Sequence, residues 1–251
     1  MRRAGKAQTM RLTDFKVLSF GCYGALIDRE SGIYAALRPL RGSGHVGLSR
    51  EELLEAFSRH EAAQQAETPK MHYSGILAEV HRRLAKEWGV LASDDDHALF
   101  SKSVPQWPVF ADVPAALQYL KRYFKLVILS NVDRESFTGS SRRLEVTFDE
   151  VLTADQIGSY KPELRNFEYL VRRVAKLGFE RGQILHAAHS PVRDLVPAAR
   201  CRLAAAWIDR RLEKAGEDAT VTLAGDARCE FRFPSLVDMV KAHQEELRAP
   251  G

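Results

Sequence analysis

Short apolar runs alternate with amphipathic stretches along most of this chain, and one long helical block near the start interrupts the rhythm. Residues 16–20 (KVLSF) form a β-prone run that stops at Gly21-Cys22-Tyr23-Gly24. Two glycines in four residues predict a tight turn with close backbone approach. After Asp28 the period becomes helical. Ser49 and Glu52 predict a capping box ahead of Leu53, Leu54 and Phe57. Ile76, Leu77, Val80, Leu84 and Trp88 mark a second helix, and Ala98 to Ser103 closes a third. No strand signal interrupts this stretch, which reads as an all-helical insertion.

From Trp107 onward strand and helix alternate. A helix over 113–123 leads into LVILS (126–130), an unbroken apolar run of the kind buried on both faces of a parallel sheet. A helix near 133–143, a weak strand at 148–152 and a helix over 162–177 with Pro162 in its first turn follow. QILHAA (183–188) predicts a buried strand, about 190–200 a helix, and LAAAWI (203–208) another strand. A late strand at 229–233 precedes a final helix over 235–247. This order predicts an α/β fold, a doubly wound parallel sheet with an inserted helical domain. The expected boundaries are a core domain over 12–28 and 106–251, the helical domain over 29–105, and a disordered tail over 1–11. Gly42 to Gly47 (GSGHVG) follows a helix and not a strand, so it reads as a flexible connector instead of a phosphate loop.

Composition narrows the function classes. The 251 residues suit one α/β domain with an insertion or two small domains. No apolar run reaches the roughly 18 residues needed to span a bilayer, and no apolar h-region follows the basic residues at the N-terminus. Neither membrane nor secretion is expected. The net charge of +4, from 37 basic and 33 acidic residues, is too small and scattered for a nucleic-acid partner. Arg82-Arg83, Arg142-Arg143, Arg172-Arg173 and Arg210-Arg211 read as solvated helix faces. Three cysteines without a CxxC argue against disulfides and zinc and for a reducing compartment, the cytoplasm.

In open parallel sheets ligands bind at the carboxyl ends of the strands. The first strand delivers Gly21, Cys22 and Tyr23 there, LVILS delivers Ser130 and Asn131, the weak strand and its loop deliver Ser159, Tyr160 and Lys161, and QILHAA delivers His189, Ser190 and, a turn later, Asp194. Ser130, Lys161 and Asp194 recur about one βαβ unit apart, so they can converge on one crevice suited to a small anion. Plainer readings stand beside this one. Lys161 could be a helix-start lysine, Ser130 and Asn131 helix caps, and Asp194 a surface partner of Arg193. His186 and His189 form an HxxH whose first histidine lies inside a buried strand and reads as a core residue, whereas His189 could line the pocket.

These residues resemble the motifs of the haloacid dehalogenase (HAD) superfamily, in its type II 2-haloacid dehalogenase branch. FGCYGALID (20–28) is similar to the first motif, FDxYGTLxD; LSNVD (129–133) to the second, GSYKP (158–162) to the third and HAAHSPVRD (186–194) to the fourth. The match covers roughly residues 12–245. It implies a Rossmann-like core, the helical insertion as a cap, a small anionic substrate, and room for a homodimer. It also implies catalytic roles for Ser130, Lys161 and Asp194, with Gly21, Cys22, Tyr23, Asn131, Tyr160, His189 and Ser190 around the substrate. The branch displaces halide from a 2-haloacid with an aspartate and then hydrolyses the ester, while related branches cleave phosphate esters with Mg²⁺.

Two departures alter the expectation. Gly21 stands where the pattern has its nucleophilic aspartate, and Ala25 where it has threonine. Glycine cannot attack, so the covalent route is closed at that position. The loss also removes a principal Mg²⁺ ligand, which weakens the phosphatase reading, so no cofactor is expected and Mg²⁺ stays open only as a weakened alternative. Asp28 matches the motif's own later acid, and Cys22 would ordinarily pack beside the strand. Three readings remain. The first is a hydrolase acting on a small 2-substituted carboxylate, with Asp194 activating water and Lys161 holding the substrate carboxylate. The second is a catalytically silent small-anion-binding or regulatory protein. The third is an engineered knock-out of a dehalogenase, against which Ala25 argues. If the remaining machinery is intact, Gly21→Asp should create or increase hydrolysis of a 2-haloacid.

Overall fold

The computed structural model of the chain describes residues 10–42, 47–212 and 229–249. The start of the expected tail and the centre of the GSGHVG connector lie outside them. Six strands, β1 (Val17–Phe20), β2 (Lys125–Ser130), β3 (Glu150–Thr153), β4 (Ile184–Ala188), β5 (Ala204–Ile208) and β6 (Phe231–Phe233), form one parallel sheet in the order β3-β2-β1-β4-β5-β6. The chain builds outward from β1 to β3 and then returns to the other side of β1, which places the topological switch between β1 and β4.

Strand periodicity explains why both faces are dry. Alternate residues of a strand point to opposite faces. Val17, Val127, Leu129 and Ile184 pack on one side against Phe167, Leu170 and Val174. Leu18, Phe20, Leu126, Ile128 and Leu185 pack on the other against Leu117, Leu120, Leu236 and Met239. The helices that supply those residues are α9 (Leu164–Lys176), α6 (Val113–Leu120) and α11 (Leu236–Arg248). Ser19 is polar in an otherwise apolar strand, yet it is fully buried on the α9 side.

Between β1 and α6 come α1 (Arg29–Ala36), α2 (Arg38–Gly42), α3 (Arg50–Glu67), α4 (Tyr73–Glu87) and α5 (Asp94–Ser101), with no strand of the sheet among the described residues there. The predicted Ser49–Glu52 box is present and caps α3. The helix expected to close at Ser103 instead runs over Asp94–Ser101, capped by a second box, Ser93 with Asp96. Three consecutive aspartates hid that start from an apolar-period reading, although acids are favoured in a first turn. The chain enters and leaves this helical segment side by side, Asp28 N donating to Pro108 O (2.7 Å) and Phe110 N to Leu26 O (3.2 Å).

Three further helices are α7 (Arg134–Ser141), α8 (Ala154–Ile157) and α10 (Val196–Arg200), and short helical turns such as Cys22–Ala25 lie between the elements. Differences from the expected boundaries are small. α9 begins two residues beyond Pro162, and the late strand is shorter than expected. Arg11, assigned to the tail, is tied to α11: its guanidinium donates to Glu246 O, and Glu246 accepts from the next two backbone amides.

Candidate active site

The centre of the site is Gly21, immediately after β1. Its φ of −72° is open to any residue, so backbone geometry does not demand glycine. Space does. A Cβ at this position would lie 2.8 Å from Asp194 Oδ1 and 2.9 Å from Ala188 Cβ. The place where a residue-21 side chain would begin is therefore filled by the Asp194 carboxylate.

Asp194 reaches it from a single turn of π-helix, Pro191–Leu195, that follows β4. Ser190 caps that turn by accepting from Arg193 N at 3.2 Å. Such wide turns re-aim a side chain and are frequent at functional sites. Asp194 Oδ1 accepts a short hydrogen bond from Lys161 Nζ and a second from His186 Nε2 at 3.2 Å. Lys161 Nζ also donates to Leu129 O (2.9 Å). Lysine and aspartate are both buried.

Behind Asp194 lies His186, fully buried on β4, whose Nδ1 is 2.8 Å from Ser19 Oγ, its register partner on β1. Burial lowers the imidazole's affinity for a proton, and the nearby Asp194 charge only partly offsets this. With His186 neutral, its Nε2–H must face the carboxylate, which can only accept, so Nδ1 accepts from the Ser19 hydroxyl. Burial likewise opposes ionisation of Asp194, but Lys161 and His186 outweigh it and hold the carboxyl well below the usual range.

The other sequence-derived residues serve nearby. Asn131 grips the Lys161 backbone, Oδ1 accepting from Lys161 N (2.7 Å) and Nδ2 donating to Lys161 O (3.0 Å). Ser130 Oγ accepts from Val132 N (3.3 Å) within the loop, and the following helix is capped by Asp133, which accepts from Ser136 N, so neither Ser130 nor Asn131 is its cap. Cys22 turns into the core, and burial pushes its thiol far up, so it supplies no thiolate. Tyr23 points to Ser140 Oγ (3.0 Å) and meets Trp107 edge-on. His189 binds Ile208 O (3.0 Å), which ties its ring to β5. The Tyr160 hydroxyl donates to Met71 O (2.5 Å) in the helical segment.

Sequence reading assigned no site role to His186 or Ser19, and did not consider the group where the helical segment meets the sheet. There Glu61 of α3, buried, accepts at Oε2 from Arg193 and Arg29 (both 2.6 Å) and at Oε1 from the Tyr73 hydroxyl (2.6 Å). Ser74 N donates to Asp133 Oδ2 (3.0 Å) across the same junction. Burial alone would raise the Glu61 carboxyl, but the two arginines hold it at about 2, against an ordinary 4.5. His81 on α4 is pushed down to about 4 from 6.5, by burial first and by His97 second.

Both groups act in one direction on acid stability. Each binds its proton more weakly in the folded state than in the unfolded chain, so each stabilises the fold above its unfolded value and loses that contribution as pH falls. Stability against urea is expected to fall as pH drops from about 6.5 to 4 through His81, then from about 4.5 to 2 through Glu61. The Glu61 share is on the order of 3 kcal/mol. Glu61→Gln should flatten the lower step and leave the upper one.

The donor set does not fit a metal. Gly21 offers no ligand, Oδ1 of Asp194 is sealed by an ammonium, and no group of three histidine, cysteine, aspartate or glutamate side chains could hold an ion among the described residues. A cavity of about 810 Å³ lies elsewhere, among α1, α2 and α5, lined by Gly32, His81, Phe100 and Trp107 among others, and none of the motif residues lines it. Among the described residues no helix is long and apolar enough to cross a membrane.

No protein-family model matches the chain, and no curated protein does. Solved structures do. An L-2-haloacid dehalogenase superposes with a TM-score of 0.74 at 21% identity, over 92% of this chain and 99% of that one. A defluorinating L-2-haloacid dehalogenase gives 0.75 at 18%, over 96% and 100%. The L-2-haloacid dehalogenase of Xanthobacter autotrophicus with chloropropionic acid covalently bound gives 0.74 at 18%, over 92% and 98%. The chain thus has the Rossmann-like α/β fold of these HAD-superfamily dehalogenases. At this identity the likeness extends to the fold, and the chemistry must be argued from the site.

Proposed function

We propose that the chain is a HAD-type hydrolase that displaces a leaving group from C2 of a small 2-substituted carboxylate, with Asp194 as the attacking carboxylate. The observation that carries this reading is Asp194 Oδ1, 2.8 Å from where the side chain of residue 21 would begin. The fourth-motif carboxylate thus lies against the point from which a residue-21 side chain would start. Oδ1 is held by Lys161 and His186, and Oδ2 carries no hydrogen bond among the described residues.

The expected water-activating role fits this environment less well. A general base works best with a pKa near the operating pH, and Asp194 is held far below it. Nucleophilic attack needs an ionised carboxylate and takes up no proton. Oδ2 then bonds to C2 as the carbon–halogen bond breaks and halide leaves with the bonding pair. Water attacks Cγ of the resulting ester, releasing the 2-hydroxy acid and the free carboxylate. One water is consumed, and one halide and one proton are released. Covalently bound chloropropionic acid in a neighbour of the same fold supports the reading.

Halide release from 2-chloropropionate tests it. The native chain should release chloride, and Asp194→Asn should lower the rate by several orders of magnitude. No chloride release by the native chain over a panel of short 2-haloacids would overturn the proposal.

A further inference from the structure

Lys161 is where the motif pattern would put the substrate's carboxylate, but its charge is already matched by Asp194 inside the protein. We infer that the substrate's carboxylate is instead bound by Arg193 and Arg29, at the junction of the helical segment and the sheet. This rests on the proposed reading that the substrate is a small 2-substituted carboxylate.

A charge count leads there. Lys161 and Asp194 cancel, whereas two guanidiniums share the single carboxylate of Glu61. Both Glu61 oxygens are engaged, Oε2 by the arginines and Oε1 by Tyr73. These three side chains therefore carry a net charge of +1, with Asp133 the other buried acid at the junction. Each guanidinium has five N–H groups in a planar fork, and each donates only one hydrogen bond to a described residue. A second carboxylate, with two coplanar oxygens, suits the vacant edges.

Placement supports the assignment. Arg193 immediately precedes Asp194 on the same turn, and the Asp194 charge acts on its guanidinium. Arg29 immediately follows Asp28, at the far end of the loop that begins with Gly21. Their side chains are 26% and 16% exposed, reachable from solvent yet shielded enough for charge pairing to be strong. The other buried acid at the junction, Asp133, is occupied by the amides of Ser136 and Ser74. A ligand that draws Arg193 from Glu61 would leave Glu61 on Arg29 and Tyr73, so binding need not strand a buried charge.

Isobutyrate, which has no leaving group, is a suitable probe, with neutral isobutyramide as its control. Calorimetry or ligand-observed NMR should show isobutyrate binding to the native chain and isobutyramide binding at least ten-fold more weakly. Arg193→Gln and Arg29→Gln should each weaken isobutyrate at least ten-fold, and Arg193→Lys should fall between, with circular dichroism verifying the fold of every variant. Either glutamine variant alone suffices if the other does not fold. No isobutyrate binding to the native chain, equal binding of the amide, or affinity within two-fold of native in a folded glutamine variant would overturn the inference. Chloride release without arginine-dependent binding would sink this inference alone. Arginine-dependent binding without chloride release would sink the proposed reaction and leave the anion site standing.

Discussion

Asp194→Asn is expected to destabilise the protein by about 3–5 kcal/mol, because it leaves the Lys161 ammonium buried beside a neutral amide. An exposed pair of the same residues would contribute less than about 1 kcal/mol. The difference comes from desolvation. Lys161 is buried, and among the described residues its ammonium donates to Leu129 O and the aspartate. Removing both charges should be far less damaging, since apolar side chains of similar size can replace a buried pair at little net loss. Urea unfolding of Asp194→Leu, Lys161→Met and the double variant should therefore show a coupling of at least about 2 kcal/mol. Additive losses would mean that the two side chains do not form the buried pair.

Gly21→Asp is the second large effect, and the structure reverses the expectation drawn from the motifs. A new Cβ meets Ala188 Cβ at 2.9 Å and the Asp194 oxygen at 2.8 Å, and the carboxylate beyond it would be a second negative charge in the same dry space. Overpacking alone costs roughly 1–3 kcal/mol, and two adjacent carboxylates resist joint ionisation. A loss of about 3 kcal/mol or more is expected, with no gain in halide release over the native chain. Gly21→Asp/Asp194→Asn returns a single carboxylate to Lys161, and its stability should exceed the additive sum by at least about 1.5 kcal/mol. A stable single variant with raised turnover would show that Asp194 does not fill the space.

The sheet was legible in the sequence because its strands are apolar on both faces, and runs such as LVILS and QILHAA have few alternatives. The loops after them were legible as motifs, so Gly21, Ser130, Asn131, Lys161 and Asp194 fell at the carboxyl edge. Their pairing was not. Whether Lys161 meets a ligand or Asp194 depends on the π turn after β4, which no periodicity announces. Ser19 and His186 carried a weak signal, each a polar residue in a buried strand, but only the register of β1 against β4 makes them partners. Glu61 and Arg193 are 132 residues apart, and neither belongs to a pattern that predicts the other.

One experiment bears most directly on Asp194 as the attacking group, a single turnover of 2-chloropropionate with excess protein in ¹⁸O-water. Attack by Oδ2 places an unlabelled protein oxygen on C2. The first-turnover 2-hydroxypropionate should therefore be unlabelled at its hydroxyl, and ¹⁸O should appear in the peptide that contains Asp194. A labelled hydroxyl in the first turnover, with no label in that peptide, would contradict the account and restore direct attack by water.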